Sequence, residues 1–430
     1  MSEDSFLPRV LFGRLPNPTA RRVVVITGAR QTGKTTLTKR VYGGLRYINL
    51  DAPENRDALR ELSTAAWSKS VGAAIIDEAH KEPSVFEKVK YAFDEGQISF
   101  TVLTGSSQIL LLQKIRESLA GRAFFYELWP LMQCELLRSS KSGKPGPPLL
   151  ERFFSSESVS EVLSKVPETL LEEEDYLYRE SESHILKWGG MPALLELSED
   201  DRWQWLKNYG YTYLERDLAD LARLDDLMPF RKFQRLSALR SGMLLNYSEI
   251  ARDAGISVDT ARRYLEYLRI SYQTALLQPY YRNLTSTVVK TPKLFWIDVG
   301  IWRQLTGFRG EMSGQLYETM VVGEIVKWMK TCQCESELYF YRTRSGMEID
   351  LLLETPVGVI GMEIKSRRTV SEKDVSSLKT IAQTLSGKWR GGIVLYTGDR
   401  IIRIASPDIW ALPSRRLFQP AEGLPASPAV

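Results

Sequence analysis

Short apolar runs bounded by polar turns alternate along this chain with stretches whose apolar residues recur every three to four positions. This is the pattern of strands interleaved with helices. Residues 23–26, Val-Val-Val-Ile, are apolar at every position, as in a strand covered on both faces, and they predict a buried parallel strand. Similar runs at 71–76, 99–104 and 123–128 are separated by helical patterns. Five strands alternating with helices, these four among them, predict an α/β, doubly wound parallel sheet for the N-terminal part.

From 200 to 227 the pattern is helical. Residues 246–255 then read as a capped helix ending at Gly255, and Ser257 caps a second helix with the sequence ARRYLEYLRIS. A strand over 273–281 and a hairpin over 282–290 follow. Beyond them the pattern predicts a strand at 292–300, a helix at 316–330, three strands at 338–342, 347–353 and 359–365, a helix near 372–386 and a strand at 392–396. Ser, Gly and Pro over 139–148 mark a linker. The expected division is a nucleotide-binding domain at 1–138 and a linker with helical region at 139–228. A winged helix-turn-helix at 229–290, an α/β domain at 291–412 and a disordered tail at 413–430 complete it.

Composition narrows the class. The 430 residues are 43% hydrophobic and 26% charged, which excludes collagen-like, low-complexity and wholly disordered chains. No apolar run approaches the roughly 18 residues of a membrane span. The first ten residues show no basic stretch leading into an apolar one, so a cytoplasmic location is expected. Three cysteines and two histidines argue against a disulfide framework and a structural zinc. Charge is nearly balanced, 57 basic against 53 acidic residues. The balance is uneven along the chain. Residues 151–182 carry ten acidic and three basic side chains and read as an acidic helical or partly mobile insertion, whereas 231–290 carry ten basic and four acidic ones.

The sharpest chemistry follows the first strand. Gly28-Ala29-Arg30-Gln31-Thr32-Gly33-Lys34-Thr35-Thr36 is a phosphate-binding loop set between strand and helix. Its glycines let backbone N–H groups wrap phosphates, Lys34 reaches the β/γ-phosphates of ATP, and the Thr35 hydroxyl ligates Mg²⁺. The strand at 71–76 ends in Asp77-Glu78, where Asp77 holds Mg²⁺ through water and Glu78 acts as general base on the hydrolytic water. Ser106 or Ser107, after the strand at 99–104, is a candidate contact to the γ-phosphate, with an ordinary strand-to-turn serine as the competing reading. Arg122 is either a phosphate-contacting arginine, on its own or a neighbouring subunit, or a surface residue.

Together GARQTGKTT, IIDEAH, LTGSS and LAGR resemble an AAA-type ATPase of the additional-strand, catalytic-glutamate class over residues 8–138. They most resemble a large prokaryotic family of ATPases whose C-terminal half is a domain of unknown function. The resemblance implies a homo-oligomer, since such sites are often completed by a neighbour's arginine.

The helix-turn-helix would lay its second helix in a DNA major groove. Thr260, Arg262, Arg263 and Tyr264 are then base or backbone contacts, and Arg282 and Lys290 hold phosphates. A packing or nucleotide-sensing module remains the alternative. Further on, Asp350 and Glu363-x-Lys365 resemble the restriction-endonuclease-like PD-(D/E)xK superfamily. Glu363 and Lys365, two apart on a strand, project from one side. Asp350 and Glu363 would share a divalent metal, Lys365 would stabilise hydroxide or phosphorane charge, and Glu324 is a further candidate ligand. The expected function is Mg²⁺-dependent ATP hydrolysis coupled to binding and remodelling or cleavage of DNA. The other reading is a nucleotide switch in a signalling or defence assembly, its nuclease-like domain inactive and partner-binding.

Overall fold

The structure, a computed structural model, describes residues 7–105, 119–137, 146–210, 227–280 and 289–420. Its strands in chain order are β1 (Arg22–Thr27), β2 (Arg46–Asn49), β3 (Ala74–Asp77), β4 (Phe100–Gly105), β5 (Ala123–Glu127), β6 (Met243–Leu244), β7 (Thr274–Pro279), β8 (Lys293–Trp296), β9 (Glu337–Arg342), β10 (Glu348–Thr355), β11 (Gly358–Lys365), β12 (Trp389–Tyr396), β13 (Ile402–Ala405) and β14 (Ile409–Pro413).

The first five form a parallel sheet in the order β2-β3-β4-β1-β5. Val23 and Val25 of β1 pack with Ile76 and Leu103 on one face, and Val24 and Ile26 with Ile75 and Val102 on the other. Alternate side chains thus bury both faces, which explains the unbroken apolar runs. Because every strand points the same way, the segments following β1, β3 and β4 meet at one edge. That edge carries the phosphate-binding loop.

The acidic segment is helical over Leu149–Arg152, Val159–Leu163 and Glu172–Trp188, and its last helix is packed into the fold. Four acidic residues occupy the first turn of the helix Glu172–Trp188, where its dipole favours them, and Tyr178, Ser181, Glu182, Ile185 and Leu186 are buried. Asp175 pairs with Arg415 at 2.7 Å, and Glu182 accepts from the Ser414 hydroxyl. The same contacts overturn the expected start of the tail at 413. Pro413 ends β14, Ser414–Leu417 is helical, and Arg415 is 2% exposed. A proline- and arginine-rich composition concealed a buried ion pair. The last residues of the expected tail, 421–430, lie outside the described residues.

The helix pair has the expected caps. Asn246 accepts from the Glu249 N–H at 3.1 Å, Gly255 terminates the first helix at φ +74°, and Ser257 accepts from the Thr260 N–H. The strands expected at 273–281 and 292–300 form as β7 and β8, but β8 takes its partners from the other side of the expected domain boundary. β8, placed by the sequence at the start of the C-terminal domain, is hydrogen-bonded between β6 and β7. β7 in turn pairs with β9, so the sheet continues as β13-β14-β12-β11-β10-β9-β7-β8-β6. The division at 290–291 therefore crosses a continuous sheet.

Asp298, buried after β8, accepts from the Gly190 and Ile301 N–H groups at 2.7 and 3.0 Å. It ties the Gly189-Gly190 turn to the helix Val299–Thr306. Among the described residues no helix is long and apolar enough to cross a membrane.

Candidate nucleotide site and carboxylate cluster

The phosphate-binding loop leaves β1 at Gly28, whose φ of +152° is open to glycine alone; a Cβ there would stand 2.1 Å from the Leu128 carbonyl oxygen. Gln31 at φ +63° and Gly33 at φ +93° complete the wrap into the helix Lys34–Val41. Ala29 and Thr32 are buried, and the Thr32 hydroxyl donates to the Ala29 carbonyl at 2.9 Å. Arg30 is half-buried and Thr36 exposed. The Lys34 ammonium donates to the Gly28 and Ala29 carbonyls at 2.9 and 2.7 Å. A loop folded around its own lysine, at the head of a helix, is a nest for anionic oxygens.

Asp77, buried at the end of β3, accepts at Oδ2 from Thr35 and from Tyr47, each at 2.7 Å, and at Oδ1 from Thr104. These contacts hold the Thr35 hydroxyl and a carboxylate side by side, the donor set that Mg²⁺ takes. Glu78 follows at φ +53°, a conformation uncommon for glutamate. Its Oε2 is buried with no hydrogen-bond partner among the described residues and lies 3.4 Å from His80 Nδ1. Burial pushes the Glu78 carboxyl above its ordinary range, and Lys34 pulls it back. An orphaned, desolvated carboxylate beside the loop lysine is poised to take a proton. Bound ATP·Mg²⁺ would supply the phosphoanhydride and the charge neutralisation there. The chain would contribute the loop N–H groups, Lys34, Thr35 and Asp77 to hold the nucleotide, and Glu78 to accept a proton.

Residues 20–137 match the AAA domain family. Residues 179–311 and 313–417 match two further families, each described only as a domain of unknown function. An uncharacterized protein of Mycobacterium tuberculosis is 28% identical over 359 residues, 81% of this chain and 71% of its own length. One from Methanocaldococcus jannaschii is 24% identical over 348 residues, 77% and 72% of the respective chains. Among solved structures, a Walker-type ATPase of Pyrococcus abyssi aligns at 16% identity and TM-score 0.38, over 66% of this chain and 90% of that one. The AAA match and the loop geometry together support nucleotide hydrolysis at this edge of the sheet.

Two expected members of the AAA site stand otherwise. Arg122 precedes β5, level with Arg22, and so lies at the opposite edge of the parallel sheet from the loop. Its guanidinium pairs with Asp94 through Nε at 2.5 Å and Nη2 at 2.9 Å, so it does not reach the nucleotide of its own chain. Ser106 and Ser107 lie outside the described residues. Thr104, two positions earlier and on Asp77, is a polar contact the sequence reading missed. Tyr47 was missed too, although β2 pairs beside β3 in register with it.

The second group of titratable residues gathers on β10 and β11, in the middle of the nine-stranded sheet. Asp350 Oδ2 accepts from the Ile364 N–H at 2.7 Å, and the Lys365 ammonium lies 2.6 Å from Glu363 and 3.6 Å from Asp350. Burial first, and the Asp350 charge second, push Glu363 up to about 8. Glu324 does not join them. It is buried against Lys327 and accepts from the Gln133 N–H at 2.8 Å, because its turn of the helix Gly314–Cys332 faces the AAA domain. Glu318, nearly two turns earlier, faces the cluster instead. Its carboxylate is 3.3 Å from Lys293, which also pairs with Glu348 at 2.6 Å, and burial raises Glu318 to about 7. Among the described residues no three His, Cys, Asp or Glu side chains stand close enough to hold a metal ion. The cluster thus presents the Asp350–Glu363–Lys365 set without a third ligand.

These shifts set a pH dependence. Acids whose folded pKa lies above the ordinary 4.5 are favoured protonated in the fold, so stability falls as pH rises from about 4.5 through 8. Glu363→Gln removes one titrating group. Its urea midpoint is expected to decline less between about pH 5 and pH 8 than the wild-type midpoint. Parallel declines would show that Glu363 does not titrate in this window.

Proposed function

We propose that this protein hydrolyses ATP with Mg²⁺ and couples the nucleotide state to DNA held by the helix Val258–Ile270, remodelling the DNA or cleaving it. One observation carries the coupling. Tyr272, just past that helix, donates its hydroxyl to Thr27 Oγ1 at 2.5 Å, on the last residue before the phosphate-binding loop. The Tyr272 ring meets Trp129 edge-on at 4.9 Å, and Trp129 follows β5. A displacement at the nucleotide is thereby delivered to the base of the helix.

The DNA reading is supported by the outer face of that helix. Arg262 and Arg263 are exposed, with Arg262 over the Tyr247 ring at 5.3 Å, and Lys290 is exposed as well. Thr260 is half-buried at the first turn. Tyr264 drops out: its ring packs on Phe230 and Phe233 and is 4% exposed. Arg282 lies outside the described residues. The test is ATP turnover across linear, circular and junction DNA. Arg262→Glu with Arg263→Glu is expected to weaken DNA binding at least about tenfold at low salt and to abolish DNA stimulation. Unchanged DNA affinity removes this helix from the interface.

In this reading the protein acts in the cytoplasm as a homo-oligomer, and Arg122 serves only a neighbouring subunit. A second reading keeps the ATPase as a switch in a signalling or defence assembly with a non-cleaving, partner-binding C-terminal domain. What favours it is the lysine seated on Asp350 and Glu363, with no third ligand beside them among the described residues. Nicking by wild type but not by Asp350→Ala, with Mg²⁺ or Mn²⁺, selects cleavage.

A further inference from the structure

The phosphate-binding loop is held from outside as well as by its own lysine. The Arg9 guanidinium, 5% exposed, donates through Nη1 to the Thr32 carbonyl at 2.8 Å and through Nη2 to the Trp129 carbonyl at 2.6 Å. Its Nε pairs with Glu135 at 3.1 Å, and Glu135 also accepts from the Val10 and Met132 N–H groups. From the other side the Tyr209 hydroxyl donates to the Arg30 carbonyl at 3.2 Å. Tyr209 is 1% exposed, and its ring stacks on Trp205 at 5.1 Å.

A trans peptide points its N–H away from its C=O. Pinning the Thr32 oxygen outward turns the Gly33 N–H inward, and pinning the Arg30 oxygen turns the Gln31 N–H inward. Of the three loop residues with positive φ, Gly28, Gln31 and Gly33, the last two follow the pinned carbonyls. Two N–H groups of the anion nest are thus oriented by donors more than 20 positions upstream and about 180 positions downstream in the chain.

We infer that Arg9 and Tyr209 are positioning residues for phosphate binding, acting on the loop backbone without touching the nucleotide. This rests on the ATPase reading of the loop and deepens it. Removing a pin frees a peptide to turn over, and the bound phosphates must then pay to re-order it. Nucleotide affinity should fall while the proton-accepting Glu78 is untouched.

Tyr209→Phe deletes one hydroxyl and keeps the stacked ring. Equilibrium binding of a fluorescent ADP analogue to the full chain is expected to weaken about fivefold, as is the ATP KM, with kcat within about twofold of wild type. The melting temperature should stay near wild type, which separates positioning from general destabilisation. Arg9→Met strands the Glu135 charge, so it is paired with Glu135→Gln. Arg9→Lys, which can reach one carbonyl, should restore part of the affinity that this double variant loses. Wild-type affinity in both Tyr209→Phe and the Arg9→Met, Glu135→Gln double variant, or a loss confined to kcat, overturns the inference. If wild type itself neither binds the analogue nor turns over ATP, the ATPase reading fails first and takes the clamp with it. Wild-type binding with a Lys34→Ala loss keeps the two separable.

Discussion

Glu78→Gln is expected to reduce ATP turnover by about a thousandfold while nucleotide affinity stays within a few-fold of wild type. The amide keeps the size and the left-handed backbone of the glutamate but cannot take the proton of an attacking water. Its Oε2 has no hydrogen-bond donor to lose among the described residues, so the substitution breaks little else. Lys34→Ala should differ in kind. That ammonium braces the Gly28 and Ala29 carbonyls, and its loss should lower affinity and turnover together. Phosphate release under saturating ATP, set beside binding of a non-hydrolysed analogue, separates the two. Turnover that persists in both variants would falsify the assignment of this edge of the sheet as the hydrolytic site.

The largest stability effect is expected away from both sites. Glu324 and Lys327 form an ion pair on one helical face, each only 2% exposed, and both reach into the AAA domain. Glu324 accepts from the Gln133 N–H, and Lys327 donates to the Leu131 carbonyl at 3.0 Å. Lys327→Met leaves a carboxylate that burial already drives upward without its cation. A loss of about 3 kcal/mol or more is expected in urea unfolding. Glu324→Gln combined with Lys327→Met should recover much of it, since the amide still accepts from Gln133 and no charge is stranded. A single variant as stable as wild type would mean that water reaches this pair.

The N-terminal sheet and its loop were readable because each needed only local information. Unbroken apolar runs mark a strand covered on both faces, and Gly28-x4-Gly33-Lys34-Thr35 needs only its strand and helix as neighbours. The caps at Asn246 and Ser257 were readable for the same reason. What stayed hidden depends on long-range contact. Glu318 and Glu324 share one helix and one chemistry, and only its packing separates the cluster from the interior. Tyr264 sits among arginines in a surface-like sequence, yet Phe230 and Phe233 enclose it. Arg9, Tyr209 and Tyr272 act through hydroxyl or guanidinium donors on distant carbonyls or hydroxyls, which leave no periodicity to read. Thr104 could have been suspected, since it ends a strand adjacent to β3 just before Gly105.

β7 is a neighbour of both β8 and β9, so one strand belongs at once to the three-stranded unit beneath the helix Val258–Ile270 and to the sheet that carries the carboxylate cluster. Lys293 on β8 crosses the same seam to reach Glu318 and Glu348. With no break between them, the distance from the helix to Lys365 is built into a single sheet, as on a ruler. A ligand long enough to touch both would have to match a spacing set by the strands that lie between them, β9 and β10.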